Sequence, residues 1–408
     1  MEEAKKLKTV TCYDEECDQF SNLSDELVCH VLSFLPTKAA YRSSVLSKRW
    51  ASICTTILDL NFEIPEVTDS SSEIKSVYAA LLRRTENIRK LRLRNYDGCK
   101  PCDVHLWVSK ALDLKVQELH LEFGSRPNPI LPLRLFRSES LVVLKLRGHI
   151  EFQPTLDSSF DIHLPSLKIL HLDLFRLDFN EDRSEYDLIE LLSGCPRLEE
   201  FLFHGYLEQP INISFPLLKR LDLNLWRFSD SVSPIGPLQI NIQSSLEALD
   251  FTDFSHKEYE FINLSNVDRA TLSIIKYVDF NSLHKLLKGL SYVKSLTLTS
   301  ETIKVSFNFV IIHFYFFLRN IVPYFHILLP ICYFCLFVIQ FLSMEDKLHN
   351  LSFLTFHKLL SLSVGISENC NWNLLVGFLQ NAPNLKDLII EVRIKYYNSI
   401  CTKYMFFQ

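Results

Sequence analysis

The sequence predicts an α+β chain: a small helical unit followed by a curved α/β solenoid whose parallel strands form one face. Three observations carry this. "NLSDELVCHVLSFLP", followed closely by "VLSKRW", sets many large apolar side chains at helical spacing near the start of the chain. From residue 88 onward a six-residue unit, apolar-x-x-apolar-x-apolar, keeps returning at a period of about 26 residues. Glycine is scarce, nine in 408 residues, which disfavours glycine-cradled cofactors and favours repeated packing units.

Residues 1–17 are polar and charged and read as a flexible leader. A helix is expected to begin after Ser24, which can cap its first turn. Asp25 and Glu26 suit the positive helix end, and Leu23 and Val28 are spaced as a hydrophobic staple. Leu27, Val28, Val31, Leu32, Phe34 and Leu35 give this helix a broad apolar face, and Pro36 stops it. A short helix through "TKAAYRSS" follows, and another starts near Ser47 with Trp50, Ile53, Cys54 and Ile57 on one face. The helical unit is assigned residues 18–60 and a connecting segment 61–87.

The repeated units start at Ile88, Val116, Leu141, Leu167, Leu198, Leu218, Leu246, Val267, Val293, Leu359 and Leu385. Their starts lie 20 to 31 residues apart, except for one interval of 66 between Val293 and Leu359. This is the period of a leucine-rich repeat, in which no unit buries its apolar row alone and neighbours must stack. "GCPRLEE" and "NAPNLKD" are turns leading into two of the strands. The repeats are assigned 88–304 and 341–395, with a tail 396–408.

The long interval holds an apolar insert, 305–340, without acid or glycine and with Arg319 as its one formal charge. It does not fit the repeat pattern. It is long enough for part of a bilayer span, though Pro323, Pro330 and two histidines interrupt it. It also has the composition of a translated intron: Lys304, Val305 and Ser306 can be encoded by a splice-donor consensus, Gln340 by an acceptor end, and removing 305–340 keeps the frame.

Charge and cysteines narrow the function. The net charge of -5 comes from 48 acids and 43 bases with no basic block, so nucleic acid is not expected as a partner. Eleven cysteines at irregular spacings, behind a start without a signal-peptide core, place the chain in the cytoplasm or nucleus. "CKPC" (Cys99, Cys102) and "CYFC" (Cys332, Cys335) each have half-site zinc spacing, but no histidine pair completes either. His120 and His171 read as surface residues of strands. No phosphate loop, paired-carboxylate signature or serine-hydrolase elbow is present, so neither enzyme activity, a metal nor a cofactor is expected.

"DQFSNLSDELVCHVLSFLPTKAAYRSSVLSKRWASI" together with the leucine ladder resembles the plant F-box proteins with leucine-rich repeats, many of which carry a further C-terminal FBD region that is not recognised here. The resemblance implies that the F-box docks on a Skp-type adaptor, and through it on a cullin-RING ubiquitin ligase, while the repeats hold an unknown protein substrate. By matching position it implies adaptor contacts at Leu23, Leu27, Val31, Leu32, Leu35, Val45, Leu46 and Trp50. Two departures stand out: Ser24 where family members usually have proline, and Cys54 where they commonly have a second aromatic.

The outward fifth positions of the strands read Arg92, His120, Lys145, His171, Leu202, Asp222, Asp250, Thr271, Thr297 and Ser363. They run from basic through acidic to neutral, a surface able to orient a target of opposite charge order. Arg92, His120, Lys145, His171, Asp222 and Asp250 are accordingly the candidate target contacts. The plainer reading is a solvated face of mixed composition, because Lys90, Glu118, Glu200 and Arg220 nearby do not follow the gradient. The expected function is substrate recognition for an SCF-type ligase. A membrane-anchored repeat scaffold and an inactive mis-spliced family member are the alternatives; a membrane partner is the less expected of these.

Overall fold

The computed structural model describes residues 22–299, 302 and 354–407, except 65–70, 83, 96–98, 125–128, 153–161, 179–185, 206–214, 226–237, 242–245, 254–258, 263, 275–279, 368–371 and 397–398. The leader and the 305–340 insert lie outside the described residues.

The chain opens with α1 (Asp25–Ser33), α2 (Thr37–Arg42), a 3-10 turn at Ser43–Val45 and α3 (Lys48–Thr56). Serines start both longer helices: the Leu27 N–H donates to the Ser24 hydroxyl at 3.3 Å, and the Trp50 N–H to the Ser47 hydroxyl at 3.2 Å. Val28, Leu32, Ala40, Ile53, Cys54 and Ile57 form a small core, with Leu23, Tyr41 and Trp50 packed at its edge. Leu23 and Val28 hold the staple arrangement at the entry to α1.

The solenoid follows. Its sheet runs β1 (Asp59–Ile64), β2 (Lys90–Asn95), β3 (Glu118–Phe123), β5 (Val143–Phe152), β6 (Ile169–Asp178), β7 (Glu200–Gly205), β8 (Arg220–Leu225), β10 (Ala248–Asp253), β12 (Arg269–Ile274), β13 (Ser295–Leu298), β14 (Ser361–Ser367) and β15 (Asp387–Tyr396), all parallel. β16 (Ser399–Phe407) closes it antiparallel to β15. β4 (Ile130–Leu131) pairs with the end of β5, and β9 (Leu238–Asn241) with β11 (Tyr259–Ile262). The helices α4 (Ser71–Leu82), α5 (Pro101–Asp113), α6 (Tyr186–Ser193), α7 (Phe280–Gly289) and α8 (Trp372–Gln380) fall between strands in sequence.

The unit pattern explains the sheet. Each of the eleven units yields a strand beginning two residues after its first apolar position, and its fourth and sixth positions point inward. Leu91, Leu119, Leu144, Leu170, Phe201 and Leu221 lie in one register row, all buried in a continuous core. The segment 61–87 is more than a connection, since it carries most of β1 and all of α4, and the expected tail carries β16.

Glycine is required at two close approaches. In β5 Gly148 takes φ +105°, beside a register shift against β6, and a Cβ there would lie 2.2 Å from the Phe123 carbonyl oxygen. In the "GCPRLEE" turn a Cβ on Gly194 would lie 2.5 Å from the Ile162 oxygen.

The longest interval leaves no gap in the sheet. Leu360 N–H donates to Lys294 O at 2.8 Å, and Ser295, Leu296, Thr297 and Leu298 pair with Ser361, Leu362, Ser363 and Val364. The strand after Val293 therefore stacks directly on the strand after Leu359. Among the described residues no helix is long and apolar enough to cross a membrane.

Candidate adaptor-docking and target-binding faces

α1 is apolar on two sides, and only one of them is needed for its own core. Val28 and Leu32, four residues apart, face inward, whereas Leu27, Val31, Phe34 and Leu35 lie on the solvent side. Val45, 86% exposed, and Leu46 extend the apolar surface from the 3-10 turn. Trp50 is half-buried at the edge of the core. Each such group taken from water contributes about 1.5–3 kcal/mol, so this face stabilises a complex only if a partner covers it.

Leu32 has to be corrected. It is 1% exposed inside the helical core, because it stands four residues after Val28 on the inward stripe of α1, and it cannot touch a partner. Leu23 is a staple residue as much as a surface one. Conversely, Phe34 is 74% exposed and was absent from the expected contacts. Its ring meets His30 edge-on at 4.9 Å, one turn back along the helix. Its seven-residue spacing from Leu27 puts it on the same side as that residue, without showing that this side faces solvent.

The face is held firmly. Arg49 on α3 pairs with Asp25 at 2.7 Å and donates to the Leu23 carbonyl, tying α3 to the start of α1. Cys54 is buried in the small core, with its thiol donating to the Ala40 carbonyl at 3.1 Å. Burial pushes that thiol's pKa up, which keeps it protonated and inert. The unit is also joined to the repeats. Asn61 N–H donates to the Thr37 hydroxyl at 2.6 Å, Lys38 pairs with Glu73 of α4, and Tyr41 packs against both cores. The buried Arg84 guanidinium donates to the carbonyls of Thr55 (2.7 Å) and Ile57 at the end of α3.

On the outward side of the sheet, Arg92, His120, Lys145, His171, Leu202, Asp222, Asp250, Thr271, Thr297 and Ser363 are register partners in one unbroken row. All six candidate target contacts lie on it, but their electrostatic states differ. His171 Nε2 lies 2.6 Å from Glu200, His204 Nε2 3.2 Å from Asp222, and Arg220 3.4 Å from Asp250. The hydrogen bond and charge of Asp222 hold the His204 pKa up. Burial pushes the His171 pKa down despite Glu200. Burial, reinforced by Lys90, Lys145 and Arg92, drives His120 down to about 4. His120 and His171 thus stand on the outward strand face, half-buried within the ladder.

Cys99 and Cys102 flank the start of α5, where Pro101 is the first helical residue and the Asp103 carboxylate accepts from the Lys100 N–H at 3.2 Å. Cys99 is buried and Cys102 exposed, so the CxxC spacing there belongs to a helix start. Among the described residues no cluster of histidine, cysteine or acid could hold a metal. Cys332 and Cys335 lie outside them.

A helical unit with an unmatched apolar face, fixed to a leucine-rich-repeat solenoid, is the architecture of a two-ended interaction adaptor. The family model "F-box domain" matches residues 20–59, and "FBD-associated F-box protein At5g56370, LRR repeats" matches 104–306. In Arabidopsis thaliana, F-box/LRR-repeat protein At4g14103 is 26% identical over 400 residues, covering 92% of this chain and 91% of that protein. F-box/LRR-repeat protein At3g59190 is 28% identical over 411 residues, covering 92% and 93%. F-box/FBD/LRR-repeat protein At4g26340 is 31% identical over 290 residues, covering 69% and 65%. The chain belongs to the plant F-box/leucine-rich-repeat proteins. Members of this family are typically non-catalytic adaptors, and an F-box with repeats implies a Skp-type partner at one end and a protein target at the other.

Proposed function

We propose that the chain is the substrate-recognition subunit of an SCF-type cullin-RING ubiquitin ligase. The supporting observation is the solvent side of the helical unit: Leu27, Val31, Phe34, Leu35, Val45 and Leu46 stay exposed although the unit's own core is complete without them. A Skp-type adaptor covers this face, the repeats hold the target, and ubiquitin transfer is performed by the other subunits. The chain accelerates that transfer by raising the local concentration of target near a charged conjugating enzyme.

The test is reconstitution of the purified full chain with a Skp-type adaptor, compared with the Leu35→Ala/Trp50→Ala variant. The wild-type chain should form a stoichiometric complex that recruits a cullin-RING module, and the variant should not. A wild-type chain that stays helical and ignores the adaptor at micromolar concentration would overturn the proposal.

The pairing of β13 with β14 across an interval of 66 residues favours a second reading of the insert: residues 305–340 are foreign to the repeat array and derive from a retained intron. Transcript sequencing across codons 303 to 345 tests it, and an absence of any shorter transcript would contradict it.

A further inference from the structure

The charged ladder on the outward face is mostly self-satisfied, and what it leaves over is localised. Glu118 is held by Lys90 at 3.4 Å and Arg89 at 3.9 Å. Glu122 lies between Arg94 at 2.9 Å and Arg147 at 3.5 Å, and Arg147 also reaches Asp173 at 3.1 Å. On the strands to either side, Asp59 pairs with Arg89, Glu63 with Arg94, and Glu200 with His171. The acidic part of the central row is likewise engaged, Asp222 by His204 and Asp250 by Arg220.

Three consecutive members of that row are different. Lys145 has no hydrogen bond or ion pair among the described residues, and Arg92 reaches its nearest carboxylate, Glu122, only at 4.0 Å. His120 stands between them in register, and its Nε2 is buried without a partner. Adjacent strands lie about 4.8 Å apart, so the three side chains span about 10 Å on neighbouring positions of the sheet. The outward positions of β2, β3 and β5 carry Lys90, Arg92, Arg94, Lys145 and Arg147 against Glu118 and Glu122, an excess of positive charge centred on this triplet.

We propose that Arg92 and Lys145, on either side of the half-buried His120, form the docking point for a carboxylate of the target, so that the chain selects an acidic segment of its protein substrate. This rests on the reading of the repeats as the target-binding part. A carboxylate placed on the row supplies counter-charge to Lys145, which has no ion pair among the described residues, and to Arg92, whose partner Glu122 stands at 4.0 Å. A basic or apolar segment would leave both cations without counter-charge and add the cost of covering them.

The test is fluorescence anisotropy of the full chain, with and without Skp-type adaptor, using labelled oligoglutamate, oligoglutamine and oligolysine peptides. Oligoglutamate should bind and the other two should not. Lys145→Glu should weaken binding by at least about tenfold, Lys145→Arg should retain it, and Lys285→Glu, the same charge change on α7, should leave it unchanged. Arg92→Gln, at a half-exposed site, should weaken binding by at least about threefold and serves if Lys145→Glu lowers the thermal midpoint. Equal binding of oligoglutamate and oligoglutamine would overturn the proposal, as would equal weakening by Lys285→Glu and Lys145→Glu. Loss of adaptor binding with oligoglutamate binding intact would sink the ligase reading alone.

Discussion

Two substitutions, one inside α1 at Leu32 and one at its C-cap, Phe34, separate docking from folding. Phe34 shows 74% of its surface, on the order of 150 Å² for an aromatic side chain. At about 25 cal/mol per Å² its complete burial against an adaptor contributes up to about 4 kcal/mol, and Phe34→Ala removes about two-thirds of that because the Cβ remains. The dissociation constant should then rise by roughly 30- to 100-fold, at about 1.4 kcal/mol per factor of ten. Stability should change by no more than about 0.5 kcal/mol, since little is lost from the core. Leu32 is 1% exposed, and Leu32→Ala should cost about 2–5 kcal/mol of stability by leaving a cavity among Val28, Ala40 and Ile53. Isothermal titration with a Skp-type adaptor and urea unfolding followed by circular dichroism read the two effects. Binding of Phe34→Ala within about twofold of wild type, or a destabilisation as large as that of Leu32→Ala, would rule out Phe34 as a docking residue.

Three further outcomes follow from other parts of the molecule. Deleting 305–340 should leave a soluble monomer that unfolds cooperatively, with the Leu360 amide still protected by Lys294 O in hydrogen exchange; collapse of the flanking repeats would show the insert to be part of the core. Arg84→Ala should cost about 2–3 kcal/mol and raise protease cleavage between the helical unit and the repeats, because it strands the Thr55 and Ile57 carbonyls; an unchanged digestion pattern would contradict this. His120 titrates near 4 in the folded chain against about 6.5 when unfolded, so between those values the unfolded state binds more protons. The thermal midpoint should therefore fall from pH 7 to pH 4.5, and His120→Gln should lose that part of the decline; an identical pH profile for the variant would argue against it.

The repeat array was legible because one rule, an inward apolar residue at the fourth and sixth positions, governs every unit. The weak "VDRATL" became β12 all the same, since Ala270 and Leu272 fill the inward places. β1 escaped notice although "ILDLNF" fits the unit, because its first apolar residue, Ile57, is also a core residue of the helical unit and was assigned there. β16 could not be anticipated from the repeat, as it pairs antiparallel and carries no such unit. On α1 the sequence is apolar around most of the helix, so spacing alone could not tell inward Leu32 from outward Phe34; the position of α3 decides it. The outward row was read correctly in order, but pairing within it depends on neighbouring strands. Only the placing of neighbouring strands shows that Asp222 and Asp250 are ion-paired while Lys145 has no ion pair among the described residues.

The central claim is that the solvent side of the helical unit is the adaptor interface and the repeats remain free for a target. Hydrogen–deuterium exchange of the full chain, alone and with a saturating Skp-type adaptor, tests it directly. Protection should appear in peptides spanning α1 and residues 43–50, while peptides from β2 to β15 exchange as before. Protection confined to the strands, or no change at the helical unit under conditions where the complex forms, would contradict the account.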